Sequence, residues 1–256
     1  MSAKILSIVN QKGGVGKTTT AVNLATIFAV MDKKVLLIDL DSQGNSSSGL
    51  GIRQDQRKVT CYHVFCDMHI IENAIIPSEI PGLSIIASNT NLAAVEMELF
   101  DKDDNELILK NSLATIRENY DYIIIDCPPS LNLLTLNALV ASDGVIIPML
   151  CDFYSLEGLS HLLKTIEIVE KKLNPKIKIA GILFTMYDKR NRLTEQVERD
   201  VRKCLGDMVF NTIIPRNVKV SEAPSHGKAV IIYDHKCSGS HAYINLAKEI
   251  ITREKR

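Results

Sequence analysis

The chain has 256 residues, 46% of them apolar and 23% charged, and carries no net charge. Those proportions suit a soluble globular protein with room for one large domain or two small ones. They exclude a membrane-spanning chain, because no stretch is long and apolar enough to cross a bilayer; the N-terminus also lacks a secretory signal, so a cytoplasmic location is expected.

In chain order, residues 4–10 read as a buried strand that runs directly into a glycine-rich loop, with a helix over 18–31 behind it. Residues 35–38 form a second strand ending at Asp39-Leu40-Asp41, and the polar stretch 42–51 reads as a loop. Residues 60–76 are expected to be helical, 83–87 a short strand after the Pro81-Gly82 turn signal, and 106–118 a helix preceded by the acidic loop 101–104. The apolar run 122–125 closes on Asp126, and Pro128-Pro129 bars a helix from starting at once. Helices follow at 131–141, 155–173, 195–205 and 240–251, with strands at 144–150, 177–184 and 209–213. Most of these strands are apolar throughout, so both sheet faces must be covered. That calls for an α/β fold with a mostly parallel central sheet flanked by helices. No linker or repeat divides the chain, and a single domain over 1–256 is expected. Trp is absent and aromatics are few, so the core is aliphatic. The six cysteines form no C-x-x-C pair and read as isolated reduced thiols.

The glycine loop carries the chemistry. A phosphate-gripping loop needs small residues so that the backbone can fold tightly and aim N–H groups at oxygen, and a helix N-terminus adds donors and a favourable dipole. Gly13, Gly14 and Gly16 permit the fold, Lys17 can reach the β- and γ-phosphates, and the Thr18 hydroxyl can face Mg²⁺. Residues 11–19 (Gln11, Lys12, Gly13, Gly14, Val15, Gly16, Lys17, Thr18, Thr19) are therefore the candidate site for ATP with Mg²⁺. The ordinary pattern G-x-x-x-x-G-K-[ST] expects Gly where Gln11 stands, and a second lysine, Lys12, precedes the glycines. Asp126 and Asp39 sit at strand ends, where α/β ligands bind, and are candidate metal ligands beside Thr18. For Asp39 a strand-end cap is the alternative. Asp41, in the loop, is the candidate to position the attacking water, with a plain turn residue as the alternative.

Four strings together, K-G-G-V-G-K-T-T-T, D-L-D-S-Q-G-N, D-Y-I-I-I-D-C-P-P-S and I-P-R-N-V-K-V-S-E-A-P-S-H-G-K, resemble the ParA/Soj family of plasmid and chromosome partition ATPases. This is the deviant Walker A class of P-loop proteins, which includes MinD and the nitrogenase iron protein. The resemblance covers nearly the whole chain. It implies that Lys12 is the signature lysine that crosses a dimer interface, Lys17 and Thr18 the in-cis ligands, Asp41 the acid needed for hydrolysis and Asp126 the Walker B acid. It implies an ATP sandwich homodimer, in which a cation supplied across the interface couples dimerisation to nucleotide state. Ser42 stands where the family usually has proline, which predicts a slightly looser loop. The segment after the last strand, with Pro215 and Asn217, is expected beside the adenine and ribose.

Charge is split along the chain. Residues 1–150 hold 11 Lys/Arg against 17 Asp/Glu, and residues 151–256 hold 19 against 13. The loops with Arg190 and Arg192 and with Lys219 make a phosphate-contact patch if they share a face, without base readout. By resemblance, Arg190 and Lys219 match positions that bind double-stranded DNA non-specifically, Lys219 as a lysine where some members have arginine. The family further implies a ParB-type partner that stimulates hydrolysis, and nucleoid association when ATP is bound. A MinD-like membrane-associated regulator is the alternative; it would need the apolar stripe of the last helix to hold a bilayer rather than pack on the core. An iron–sulfur electron-transfer ATPase would need well-placed exposed thiolates, and Cys127 is not convincingly placed. No stable membrane association and no N-terminal operator-binding extension are expected.

Overall fold

The computed structural model describes residues 2–255; Met1 and Arg256, the ends of the expected 1–256 unit, lie outside the described residues. The elements run β1 (Lys4–Ile8), α1 (Lys17–Val30), β2 (Val35–Asp39), α2 (Asn45–Gly49), α3 (Cys61–Cys66), β3 (Ile75–Pro77), β4 (Leu83–Ile86), α4 (Val95–Glu98), α5 (Ile108–Ala114), β5 (Tyr122–Asp126), α6 (Leu133–Ala141), β6 (Gly144–Met149), α7 (Phe153–Lys172), β7 (Lys178–Phe184), α8 (Arg192–Leu205), α9 (Val218–Glu222), α10 (Val230–Tyr233) and α11 (Ser238–Glu254). The strands form one seven-stranded sheet in the order β3-β4-β2-β5-β1-β6-β7. Every pairing is parallel except β3 with β4 at the edge.

Alternation along each strand feeds two cores. Ile5, Ile123, Ile125, Val145 and Ile147 face one side, with α3, α5, α6 and α7. Leu6, Ile8, Leu37, Ile124 and Ile146 face the other, with α1 and α11. Parallel strands buried on both faces need such continuous aliphatic runs, as the sequence predicts. The stripe of α11, including Tyr243, Leu246 and Ile250, is buried in the second core. No helix of the described residues is long and apolar enough to cross a membrane.

Three local expectations need correction. The loop expected over 42–51 contains α2, which starts after Gly44 at φ 64° and is held by side-chain bonds described below. Only residues 61–66 of the expected 60–76 helix are α-helical; after a 3-10 stretch the chain turns into β3 and pairs antiparallel with β4. The strand expected over 209–213 is reduced to an isolated bridge between Ile182 and Val209. The Phe210 amide still donates to the Ile182 carbonyl at 2.9 Å, but those of Asn211 and Thr212 donate to the Glu249 carboxylate at 2.8 and 2.9 Å, which interrupts the ladder.

Candidate functional site

The glycine loop joins β1 to α1. Gly14 and Gly16 adopt φ of 72° and 85°, a region that strains any residue bearing a Cβ. Gly16 occupies the N-cap of α1 and offers no side-chain acceptor, so the first-turn N–H groups remain available to an anion. Asn10 braces the loop: its Nδ2 donates to the Pro148 carbonyl at 2.7 Å, and its Oδ1 accepts the Lys12 amide at 2.9 Å. Thr185 Oγ1 at the end of β7 donates to the Val15 carbonyl at 2.8 Å.

The two lysines point differently. Lys17 is buried, and its Nζ donates to the Lys12 carbonyl at 2.9 Å. Burial is the largest influence on its pKa and lowers it, against the opposing charges of Asp126 and Asp41. Lys12 Nζ instead donates to Asp152 Oδ2 at 2.5 Å. Asp152 also caps α7, its Oδ1 accepting the Ser155 amide at 2.9 Å and hydroxyl at 2.7 Å. Burial works to raise the Asp152 carboxyl, but bonds from Lys12 and Ser155 outweigh it and hold its pKa below the ordinary value.

Asp39 and Asp126 are in register on the adjacent strands β2 and β5, and both are fully buried. Burial raises both pKa values; the charge of Asp39 adds to the rise at Asp126. Asp39 Oδ2 accepts the Ser47 amide and hydroxyl at 2.8 and 2.7 Å, and its Oδ1 accepts the Asp41 amide at 3.3 Å. Asp126 Oδ2 accepts the Ser46 hydroxyl at 2.7 Å, and the Thr18 hydroxyl lies near enough to the same carboxyl to lower its pKa. Its Oδ1 is buried with no partner. An orphaned carboxylate oxygen beside a threonine hydroxyl fits a hard divalent cation, which prefers oxygen ligands. The two acids thus differ: Asp126 has an open oxygen, whereas both oxygens of Asp39 already anchor α2 and the Asp41 turn. Among the described residues no group of three His, Cys, Asp or Glu could hold a metal, so phosphate and water would complete such a shell. Asp41 is half-exposed and closes a turn with Gly44 at 2.9 Å, without the proline that Ser42 replaces.

Arg57, which sequence reasoning missed, is 7% exposed and holds this loop from behind. Its guanidinium donates to the carbonyls of Ile52 at 2.8 Å and Ser88 at 3.2 Å and to Ser48 Oγ at 2.8 Å. A Cβ on Gly44 would stand 2.5 Å from Arg57 Nη1. Ser46, Ser47 and Asp152 were also missed. A serine triplet after Gly44 resembles an ordinary loop, and only the N-cap pattern Asp152-x-x-Ser155 hinted at a helix start.

The remaining predicted residues lie on a second strip. Tyr187 pairs with Pro215 through an isolated bridge, its amide reaching the Ile214 carbonyl and its carbonyl accepting the Arg216 amide, each at 3.0 Å. Since Tyr187 follows Thr185 by two residues, this backbone ties the Pro215 segment to the glycine loop. Asn217 caps α9: its Oδ1 accepts the Lys219 amide at 2.8 Å, while its Nδ2 donates to Ser238 Oγ at 2.9 Å. The same bridge sets the Arg190 loop beside the segment leading to Lys219. Neither cation is free: Arg190 grips both oxygens of Asp188 at 2.9 and 2.7 Å, and Lys219 binds Glu222 at 2.9 Å. Arg192 opens α8 and is exposed. Thr19 lies in the first turn of α1, its carbonyl accepting Asn23 Nδ2 at 2.7 Å. Gln11 is half-exposed in the loop, beside Lys12.

A family model described as an AAA domain matches residues 3–179. The chromosome partitioning protein ParA of Caulobacter vibrioides is 52% identical over 254 residues, covering 98% of this chain and 95% of its own. The sporulation initiation inhibitor protein Soj of Bacillus subtilis is 49% identical over 247 residues, 96% of this chain and 98% of its own. Among solved structures, cobyrinic acid a,c-diamide synthase from Mycobacterium smegmatis with bound ATP analog and magnesium superposes with a TM-score of 0.86 at 32% identity, over 99% of this chain and 96% of that one.

Proposed function

The chain belongs to the ParA/Soj/MinD family of deviant Walker A ATPases, and from that premise we propose that it is a nucleotide-operated switch which dimerises on ATP, binds DNA without sequence preference and releases it on hydrolysis. The cargo is a chromosome or plasmid, marked by a ParB-type protein that stimulates turnover; the active form is cytoplasmic and nucleoid-associated. One continuous sheet supports reading the whole chain as a single nucleotide-binding unit.

The observation that carries this reading is the divergence of the two lysines. Lys17 is buried and folded back onto its own loop, while Lys12 reaches outward to a partly exposed carboxylate. A loop that needed one cation would not carry a second pointing away from it. In a closed dimer, Lys12 contributes its charge across the interface to the other subunit's phosphates.

Hydrolysis takes ATP and water to ADP, phosphate and a proton. Asp41 accepts a hydrogen bond from the water and orients it toward the γ-phosphorus. Lys17, the α1 N–H groups and the incoming Lys12 meet the charge that spreads over the phosphate oxygens. A magnesium ion held by Thr18 and the open Asp126 oxygen would neutralise the β- and γ-phosphates. Asp39 acts one step back, fixing Ser47 and the Asp41 turn. The Pro215 segment closes over the base, with Asn217 holding its shape as a cap. Arg190, Lys219 and Arg192 contact DNA phosphates once loaded.

The test is solution mass by light scattering together with DNA binding, each with ATP, with ADP and without nucleotide. ATP-dependent dimers and ATP-dependent DNA binding are expected from the wild type, and neither from Lys12→Ala. A Lys12→Ala chain that still dimerises on ATP, or wild-type DNA binding that ignores nucleotide, overturns the reading.

A further inference from the structure

We propose that the cavity between the starts of β1, β6 and β7 and the last turns of α11 binds a small organic anion, one acidic group on an apolar, ring-sized body. The site lies at the opposite end of the sheet from the glycine loop and does not rest on the function proposed above.

The glycine loop, Asp39 and Asp126 stand at the carboxyl ends of their strands. Lys4, Gly144 and Lys178 each open a strand, and β1, β6 and β7 run parallel, so the cavity they line belongs to the other end. It encloses about 770 Å³, within the roughly 300–1,000 Å³ typical of small-molecule sites. Asp207 and Asn211 contribute one wall, where the ladder beyond β7 is interrupted. Leu6, Ile179, Ala180 and Ile250 give an apolar lining, and the methylene stems of the lysines add to it.

The charge of the ligand follows from which lining groups are already satisfied. Asp143 pairs with Arg117 at 2.5 Å and accepts the Ile5 amide at 2.9 Å. Glu249 pairs with Arg253 at 2.8 Å, and Arg253 also donates to the Asp207 and Val209 carbonyls at 2.9 and 2.7 Å. Lys4, Lys178 and Lys248 have no ion-pair partner among the described residues. They stand against Asp207 and Glu254, and Glu254 already accepts the Tyr122 hydroxyl at 2.7 Å. One positive charge is left in excess. A monoanion restores neutrality, and its apolar body covers Leu6 and Ile250. A metal ion finds no ligand set here, since no group of three His, Cys, Asp or Glu among the described residues could hold one. A duplex, a rigid polyanion, would meet a concave surface with two acids among its cations.

An anion that bridges Lys178 on β7 and Lys248 on α11 ties the last helix to the sheet edge. Occupancy therefore raises the melting temperature by mass action.

The probe is anilinonaphthalenesulfonate, a single sulfonate on an aromatic body, titrated into the full chain by fluorescence. Phenylnaphthylamine, the same body without charge, is the comparison, and citrate, acidic without an apolar body, is tested as a competitor. One variant, Lys178→Met with Lys248→Met, keeps the stems and removes the charges. A second, Lys178→Arg with Lys248→Arg, keeps the charges; both positions are exposed. One sulfonate per chain is expected to bind wild type, with affinity about tenfold weaker on the Met pair and retained on the Arg pair. It should bind about tenfold more tightly than the neutral analogue, resist displacement by citrate, raise the melting temperature, and protect residues 178–180 and 248–254 from hydrogen exchange. Equal binding to wild type and the Met pair, equal binding of the charged and neutral bodies, or ready displacement by citrate overturns the site. So does displacement by ATP with protection at 11–19, which would place the sulfonate in the glycine loop. Displacement by a random duplex also overturns it and would assign these lysines to a DNA face. The exchange map is read on wild type, so a Met pair that melts early leaves the question decidable: protection away from 178–180 and 248–254 refutes the cavity.

Discussion

Replacing Asp152 with Asn should tighten the ATP-dependent dimer. In the structure Asp152 performs two tasks with two oxygens: Oδ2 holds Lys12, and Oδ1 caps α7. Asn keeps the capping oxygen and is as good an N-cap as Asp, so helix stability is preserved. What it removes is the charge that detains Lys12. The two side chains are 38% and 34% exposed, so water screens the pair, and about 1 kcal/mol is a fair value for it. Each subunit of a closed dimer must give up one such pair, so the release amounts to about 2 kcal/mol, or roughly 30-fold in the dimer dissociation constant. Sedimentation equilibrium with ATP, in an Asp41→Ala background that stops turnover, reads this directly. Asp152→Ala is the control: it frees Lys12 equally but loses the cap, at about 1 kcal/mol of thermal stability. A dissociation constant for Asp152→Asn that is unchanged, or weaker, would refute the view that the internal ion pair competes with the interface.

Further outcomes follow from the same geometry. Burial raises the Asp126 pKa, so folding favours its protonated form: its contribution to stability is complete below the unfolded carboxyl value and disappears as pH rises through the folded one. Without nucleotide or magnesium, Asp126→Asn should melt higher than wild type at pH 8, and the gap should close toward pH 5; parallel calorimetric curves over that range would contradict this. Arg57→Met should cost about 3 kcal/mol by leaving the Ile52 and Ser88 carbonyls without donors. The same change should slow phosphate release more than it weakens binding of a fluorescent ATP analogue, and an equal loss in both would argue for simple unfolding. Asp188→Asn with Glu222→Gln frees Arg190 and Lys219 and should strengthen DNA binding in the ATP state, with a steeper salt dependence. Anisotropy on a random duplex at two salt concentrations would show it, and no gain would remove those cations from the DNA face.

Much of the sheet could be read in advance, because β1, β2, β5 and β6 are short, mostly aliphatic runs, of which β2 and β5 end in Asp and β1 leads into the glycine loop. The glycine loop was equally legible, since its conformational demands fall on Gly14 and Gly16, two of the glycines the sequence displays. Reading failed where structure depends on distant partners. Nothing near 209–213 reveals that Glu249 will take its amides, and nothing near Lys12 reveals an acid 140 residues away. Arg57 looks like any surface arginine until the loop it supports has folded around it. Asp39 and Asp126 look alike in sequence, each an acid at a strand end. Only the serines of α2, arriving from outside both strands, separate an oxygen that is occupied from one that is open.

Thr185 and Tyr187 give the molecule a short splint. Thr185 Oγ1 is bonded to Val15 in the glycine loop, and Tyr187 carries Arg216 through its carbonyl. The link between them is only three residues long and bends at Met186, whose φ of 49° lies in the left-handed region that few side-chain-bearing residues adopt. On the function proposed above, a shift of the loop around a γ-phosphate would pass along this short link toward the two basic loops. Sensing and grip would then share one short link, which makes the Val15–Thr185 joint a place where the two could be uncoupled without touching either.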